Sequence, residues 1–310
     1  MLDATSKALF HSLAQVKLLQ RVASRYGMAP TGFARRFIAG ESVDEAVAAV
    51  RGMADRGLLL TLDYLGESVR TSAEADAATR DYLRILGIIV ESGVERNVSL
   101  KLTQLGLDVD RATCVDNLRR ILDPATEHGF FVRIDMENSP YTAVTLGVFE
   151  TMWQQEYRNA GVVLQSCLPR SEEDATRMNE LGARVRLVKG AYKEPRAIAY
   201  QSKADVDAAF VRIMRALLAD GTYPAIATHD PNMIDATRAF ARERGIDPAR
   251  FEFQMLYGIR RDLQASLRRE GYGVRVYVPF GREWFPYFMR RLGERPANVG
   301  FVLRAILSER

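Results

Sequence analysis

The sequence predicts an α/β protein, a (βα)8 TIM-type barrel with helices before it and a helix after it, on three observations. Short runs rich in valine, isoleucine, leucine and phenylalanine alternate with helical segments eight times between residues 58 and 279. The runs are almost entirely apolar, as parallel strands are when helices cover the sheet. Eight such units within about 240 residues match the number and the size expected of a closed parallel barrel.

The eight predicted strands are each followed by a polar residue, a loop and a helical segment. They cover residues 58–66, 97–106, 130–137, 161–167, 183–190, 223–230, 251–256 and 274–279. Residues 1–57 read as helices, beginning with residues 5–26, and we expect them to form a helical arm outside a barrel domain that covers residues 58–310. An open, doubly wound sheet is the alternative arrangement of the same units.

Several helices carry boundary signals of their own. Ser42 followed by Glu45 is a capping-box pattern that opens a helix. Asp230 precedes a proline, and proline suits the first helical turn because its missing N–H has no partner there anyway. Pro124 lies inside the helical segment 111–128 and is expected to kink or split that helix.

The composition is that of an ordinary globular protein and excludes several functional classes. The chain has 310 residues, 47% hydrophobic and 26% charged, with a formal net charge of +4. Its basic residues are spread along the chain, so we expect no nucleic-acid partner. Cys114 and Cys167 lack the spacing of a zinc site or a disulfide framework, and we expect no metal. Without a signal-peptide pattern or an apolar run near ~18 residues, a cytoplasmic protein is expected.

Polar and charged side chains recur where the predicted strands end. In (βα)8 barrels the functional residues lie at this C-terminal face of the barrel. Charges in a concave rim must be paired or bound to a ligand, so solvation alone does not explain a ring of them. The ring consists of Asp63, Lys101, Asp135, Glu137, Gln165, Arg186, Lys189, Thr228, His229, Gln254 and Tyr277.

Taken singly, some of these residues have simpler interpretations. Lys101 has no functional role if its side chain only extends its amine from the barrel mouth into solvent. His229 has none if it only makes a local hydrogen bond at the start of a helix. Arg186 alternates with apolar neighbours and therefore points into the barrel or into the helix layer, where a buried arginine needs an anionic partner. Cys167 has no base nearby in the sequence, so we interpret it as a packing residue.

The helix after the eighth strand brings four functional side chains onto one face. Tyr287, Arg290, Arg291 and Glu294 are spaced at i, i+3, i+4 and i+7. Two arginine forks on one face can hold one small carboxylate. The alternative is a solvated helix face carrying ordinary salt pairs.

The motifs that are missing narrow the chemistry. The chain has no GxGxxG and no GxxxxGK[ST], so a Rossmann or Walker-type nucleotide site is not indicated, and it has no HExxH metal motif. A cationic rim with aromatic and amide side chains suits a small carboxylate substrate together with a phosphate-bearing cofactor.

Over residues 58–304 the chain resembles the proline dehydrogenase family. The most specific motifs are VRLVKGAY (185–192), FEFQMLYG (251–258) and YVPFG with PYFMRRLGERPAN (within 277–298), supported by KLTQLG, RIDME and ATHD. The resemblance implies a distorted (βα)8 barrel that holds FAD non-covalently. It implies oxidation of L-proline to Δ1-pyrroline-5-carboxylate, the first step of proline catabolism to glutamate, with electrons passed to a membrane quinone.

The resemblance also implies roles for individual residues. As catalytic residues it implies Asp135 and Arg186, the latter close to the flavin N5. As substrate-binding residues it implies Lys101, Leu256, Tyr277, Tyr287, Arg290, Arg291 and Glu294. The two arginines would clamp the carboxylate, and Glu294 would be the ion-pairing acid. As cofactor-binding residues it implies Met136, Gln165, Arg186, Lys189, Gly190, Ala191, Thr228 and His229.

The chain departs from the family pattern at Cys167, where some members carry an aromatic residue. Because it stops at residue 310, it resembles the monofunctional bacterial type, which hands its product to a separate pyrroline-5-carboxylate dehydrogenase. A quinone acceptor implies visits to the inner face of the cytoplasmic membrane, helped by the positive net charge. Two other hypotheses remain: a lyase or aldolase that uses Lys101 or Lys189 as a Schiff-base nucleophile, and a barrel that only binds a carboxylate or a flavin.

Overall fold

Eight parallel strands, paired in chain order, form a closed barrel in the computed structural model, which describes Met28 and residues 33–294, with side chains up to Arg291. The strands are β1 Leu59–Tyr64, β2 Asn97–Leu100, β3 Phe131–Ile134, β4 Ala160–Gln165, β5 Arg184–Val188, β6 Ala225–Ala227, β7 Glu252–Leu256 and β8 Gly273–Phe280. The pairing of β1 with β8 closes the sheet, confirms the predicted (βα)8 barrel and rules out the open sheet.

Helices precede β1 and follow every strand in the described part of the chain. They are α1 Val43–Ala54, α2 Ser72–Ser92, α3 Arg111–Glu127, α4 Thr142–Gln154, α5 Ser171–Leu181, α6 Lys203–Asp220, α7 Pro231–Glu243, α8 Arg261–Arg269 and α9 Trp284–Glu294. Short 3-10 turns lie at Phe33–Arg36, Leu102–Leu105, Ser139–Tyr141 and Pro248–Arg250. The predicted helix at 5–26 lies outside the described residues, so the arm at 1–57 stays a prediction.

The predicted helix starts are largely as expected. The side chain of Asp230 accepts a hydrogen bond from the Asn232 N–H at 3.1 Å, and α7 begins directly after it at Pro231. Ser42 accepts from the Glu45 N–H at 3.3 Å, but the Glu45 carboxylate bonds Arg35 instead of returning to the cap. The capping box is therefore half formed, because an arginine is the stronger partner for the carboxylate.

Pro124 was expected to kink or split its helix: the split is wrong, and the kink stays a prediction. Helix α3 runs unbroken from Arg111 to Glu127 with Pro124 inside it. Proline removes one backbone hydrogen bond and crowds the preceding turn, which is most costly in the middle of a helix. The last turn nevertheless closes after Pro124, because the His128 N–H donates to the Pro124 carbonyl at 3.0 Å.

A second hydrophobic cluster, separate from the core between barrel and helices, packs α9 against the segment that precedes the barrel. Trp284, Phe285 and Phe288 of α9 are buried there together with Phe37 and Ile38. Full burial of each such side chain contributes about 1.5–3 kcal/mol. The cluster therefore fixes the helix that carries the predicted carboxylate clamp.

No helix in the described part of the chain is both long and apolar enough to cross a membrane.

Candidate active site

A cavity of about 550 Å³ opens at the C-terminal mouth of the barrel. It brings together every residue to which the family resemblance assigns a role and whose side chain the structure describes. These are Lys101, Asp135, Met136, Gln165, Arg186, Lys189, Gly190, Ala191, Thr228, His229, Leu256, Tyr277, Tyr287, Arg290 and Arg291. Asp63 and Glu137 of the predicted polar ring do not line the cavity. Glu294 ends α9, but its side chain lies outside the described residues. The two arginines of α9 therefore face a pocket, whereas an ordinary solvated helix face would turn them to bulk water.

The centre of the cavity is a buried ion pair between β3 and β5. Arg186 donates to the Oδ1 of Asp135 at 2.7 Å, and the hydroxyl of Tyr277 donates to the Oδ2 at 2.7 Å. The Arg186 guanidinium also lies 5.2 Å from the centre of the Tyr277 ring. The two carboxylate oxygens of Asp135 thus hold the Arg186 guanidinium and the Tyr277 hydroxyl in fixed positions. The prediction that buried Arg186 needs an anionic partner is confirmed.

Lys101 lies beside this pair and is held by two carboxylates. Its Nζ is 3.4 Å from the Oδ1 of Asp63 and 3.9 Å from the Oδ2 of Asp135. Burial alone would lower the pKa of Lys101, but Asp63 and Asp135 outweigh burial and raise the pKa. Burial raises the pKa of Asp63, against the opposing effect of Lys101. A lysine whose pKa is raised keeps its proton at neutral pH, so Lys101 acts as a fixed cation in the mouth.

Arg290 is already engaged by an acid that the sequence did not single out. Its two terminal nitrogens lie 2.7 and 3.3 Å from the carboxylate oxygens of Glu67, in the loop after β1. Burial would lower the pKa of Arg290, but Glu67 outweighs it and raises the pKa. Arg291 lies one position further along α9, with its guanidinium 5.2 Å from the centre of the Tyr287 ring.

Polar groups of fixed orientation line another part of the cavity. The Nε2 of Gln165 donates to the carbonyls of Met136 and Glu137 at 3.3 and 3.0 Å, which turns its Oε1 toward Cys167 and Gly190. The thiol of Cys167 lies 4.0 Å from this oxygen, and burial raises its pKa to about 11, so it is protonated. Gln165 therefore offers an acceptor to this side of the cavity.

Two further cavity residues lie near the start of α7. The backbone N–H of Leu256 donates to the Nε2 of His229 at 2.9 Å, so this ring nitrogen carries no proton. Lys189 pairs with Asp207 and with Asp230, the latter at 2.6 Å. These carboxylates neutralise much of the charge of Lys189, and the lysine links the loop after β5 to the cap of α7.

Comparison with known proteins decides the family. The family model described as proline dehydrogenase matches residues 46–304. The chain belongs to the proline dehydrogenase family. Proline dehydrogenase 1 of Bacillus subtilis strain 168 is 41% identical over 301 residues, which cover 97% of this chain and 99% of that one. The proline dehydrogenase of Deinococcus radiodurans is 41% identical over 278 residues, 88% of this chain and 90% of that one.

A solved structure shares the barrel of this proline dehydrogenase family member. It is the crystal structure of proline utilization A from Bdellovibrio bacteriovorus inactivated by N-propargylglycine, with a TM-score of 0.78 and 28% sequence identity. The match covers 84% of this chain and 32% of that longer one. The predicted family resemblance is therefore confirmed at the level of both sequence and fold.

Two residues at the mouth were not identified from the sequence. Tyr192 lines the cavity, and burial raises its pKa to about 12. Glu67 binds Arg290 across the barrel mouth. The signal for Tyr192 was present, since it ends the VRLVKGAY motif. Glu67 lies in an ordinary loop sequence, and only the fold shows which cation it meets.

Proposed function

We propose that this protein oxidises L-proline to Δ1-pyrroline-5-carboxylate, using FAD held non-covalently in the barrel mouth and a membrane quinone as the electron acceptor. The observation that supports this most strongly is the convergence in one cavity of Arg290 and Arg291 with the Asp135–Arg186 pair. A pyrroline-5-carboxylate dehydrogenase would then use the product.

The residues of the cavity fit a flavin. Gln165 offers an oriented acceptor and Arg186 offers a buried cation, and Gly190 in the cavity wall lacks the side chain that would collide with Cys167. Chemically, FAD would accept the hydride and carry the electrons to the quinone. The residues that would hold it are Met136, Gln165, Arg186, Lys189, Gly190, Ala191, Thr228 and His229.

The remaining cavity residues fit a small cyclic amino acid. Arg290 and Arg291 bind and orient its carboxylate, and the positive charge of Lys101 supports them. Leu256, Tyr277 and Tyr287 form an apolar wall against which a saturated ring can pack. Fixing the ring in one orientation supplies much of the rate enhancement, because a misplacement of about 1 Å can cost a factor of 100.

The structure disfavours the Schiff-base alternative. A lysine nucleophile must lose its proton, which requires a lowered pKa. The carboxylates of Asp63 and Asp135 raise the pKa of Lys101 and keep it charged. Lys189 is likewise paired with Asp207 and Asp230. Neither lysine is prepared to attack a carbonyl group.

The test of the proposed function is anaerobic mixing of the purified protein with L-proline. The protein is expected to be yellow, and proline is expected to bleach the flavin absorption in the absence of any acceptor. Steady-state turnover with a soluble quinone analogue should then show ping-pong kinetics. A yellow protein that proline does not bleach would instead support a binding module. A colourless protein trapped with a carbonyl compound by borohydride would support the lyase.

Replacing Gly190 with alanine is expected to lower flavin retention. Gly190 has φ +104, and an added Cβ would lie 2.4 Å from the Sγ of Cys167. Gly93→Ala is the matched control, since Gly93 has φ +71 but nothing within 4 Å. It should cost only about 1 kcal/mol for the left-handed backbone. The flavin-to-protein ratio and the Tm measure both effects.

The double variant Gly190→Ala with Cys167→Ala separates the two causes. Removing the thiol relieves the collision but leaves the backbone strain, so flavin retention should recover partly. If Gly190→Ala retains flavin as fully as the Gly93 control does, the close approach of the wall at Gly190 has no role in holding the cofactor.

Arg290→Met and Arg291→Met are each expected to raise the KM for proline with the flavin content unchanged. Loss of a charge-assisted bond to the carboxylate costs about 2–4 kcal/mol, or roughly 30- to 700-fold in KM. Arg290→Met also leaves Glu67 as an anion without this partner near the site. Adding Glu67→Gln should therefore recover part of the loss. Wild-type KM values in both single variants would refute the clamp.

A further inference from the structure

A row of buried polar side chains runs inside the barrel from the mouth toward the opposite end. The Nε of Arg186 donates to the Oε1 of Gln254 at 2.5 Å, and the Nε2 of Gln254 donates to the Oε1 of Glu252 at 2.6 Å. Arg275 binds both oxygens of Glu252 at 2.8 and 3.0 Å and reaches Glu95 at 2.5 Å. The row alternates in charge, with the neutral amide of Gln254 inserted between two ion pairs.

The orientation of the Gln254 amide is forced by its two neighbours. Arg186 can only donate hydrogen bonds, so it requires the amide oxygen. An ionised Glu252 can only accept, so it requires the amide NH2. Burial would raise the pKa of Glu252, but Arg275 outweighs burial and lowers it, which keeps the carboxylate ionised. Reversing the amide would place its NH2 group against the Arg186 guanidinium, where two donors would meet. It would also place the amide oxygen against the Glu252 carboxylate, where two acceptors would meet.

Gln254 completes the set of contacts that orients Arg186. The guanidinium is bound on three sides, by Ser99 of β2 at 3.1 Å, by Asp135 after β3 at 2.7 Å and by Gln254 of β7. Asp135 and Ser99 hold the two terminal nitrogens, and Gln254 holds Nε. The Tyr277 ring lies against the guanidinium, with its centre 5.2 Å away, and the three anchors on different strands fix the plane of the guanidinium over it. Gln254 is the anchor that holds Nε.

We propose that Gln254 is a positioning residue: held in one orientation by Glu252 and Arg275, it sets the plane of the Arg186 guanidinium for the hydride transfer step. This rests on the proposed function, which places Arg186 beside the flavin. A cation at the position of Arg186 would stabilise negative charge on a bound flavin only while that position is fixed, because electrostatic stabilisation depends on preorganised groups.

The test compares Gln254→Leu and Gln254→Glu with the control Gln104→Leu in the flavin-loaded enzyme. Gln104 is equally buried, and its Oε1 accepts from Tyr82 at 2.9 Å, away from Arg186. Gln254→Leu removes the acceptor for Nε, and Gln254→Glu brings a carboxylate against Glu252. Both should lower the anaerobic rate constant for flavin reduction by about 10- to 100-fold, with KM changed less than about threefold.

Two further readouts separate positioning from a general loss of structure. Both Gln254 variants should make the flavin reduction potential more negative, and Gln254→Glu should do so more, because its carboxylate offsets the charge of Arg186. Gln104→Leu should keep the wild-type potential even if its Tm falls. Wild-type rate and potential in both Gln254 variants would overturn the proposal while leaving the proposed function intact. A wild-type flavin that proline does not bleach would overturn the proposed function itself.

Discussion

Arg186→Met is expected to lower the rate of flavin reduction by proline by at least about 100-fold, the largest catalytic effect of any single substitution in the site. The substitution removes the buried cation that the proposed mechanism places beside the reduced cofactor. It also leaves Asp135 and Gln254 without the donors that now lie 2.7 and 2.5 Å away. Stopped-flow reduction under anaerobic conditions measures the rate directly. The flavin content and the reduction potential should fall in the same variant.

The same strand offers a matched control for Arg186→Met. Arg184 lies two positions earlier on β5, so its side chain leaves the same face of the strand, but it does not line the cavity. Its guanidinium stacks 4.2 Å from the Phe131 ring and 4.5 Å from the Tyr223 ring. Arg184→Met should therefore keep the wild-type rate. If both variants reduced the flavin at the wild-type rate, the charge of Arg186 would take no part in the reaction.

Lys101→Met is expected to destabilise the fold as well as weaken proline binding. The lysine neutralises Asp63, which is fully buried, and approaches Asp135 at 3.9 Å. Removing one partner of a buried ion pair typically costs about 3–5 kcal/mol, because the other charge remains buried without compensation. Urea unfolding at neutral pH measures this cost. The double variant with Asp63→Asn should regain much of the lost stability, since the uncompensated carboxylate is then gone.

The stability deficit of Lys101→Met should depend on pH in a definite direction. Burial already raises the pKa of Asp63 above its ordinary value of 3.8, and loss of Lys101 removes an opposing effect and raises it further. A carboxyl group with a raised folded-state pKa favours folding when protonated, so its stabilising effect is lost as the pH rises through that pKa. The deficit should thus be smaller at pH 5 than at pH 8. An equal deficit at both values would contradict an ionised, uncompensated Asp63.

The strand–helix alternation and the strand-end polar ring could be predicted because both depend on local sequence. Apolar strands separated by capped helices imply a parallel sheet, and the polar residues near the strand ends then fall on one rim. Lys101, Asp135 and Arg186 were found in this way. The roles of Arg290 and Arg291 were suggested by helical spacing and by the family motifs. The split expected at Pro124 was wrong because α3 continues through the proline despite the lost backbone hydrogen bond.

By itself, the sequence determined the succession of eight strand–helix units and the polar side chains near the strand ends, since these follow from periodicities of two to four residues. Closure of the sheet by the pairing of β1 with β8 was decided by the tertiary structure. Only the tertiary structure decided which partner each charge meets. Glu67 and Arg290 are 223 residues apart in the chain, and Arg186 and Gln254 are 68 apart. No local pattern specifies such pairs, because closure of the barrel brings β1 against β8 and turns β5 and β7 toward one another. The position of α9 was likewise decided by hydrophobic packing against the segment before the barrel.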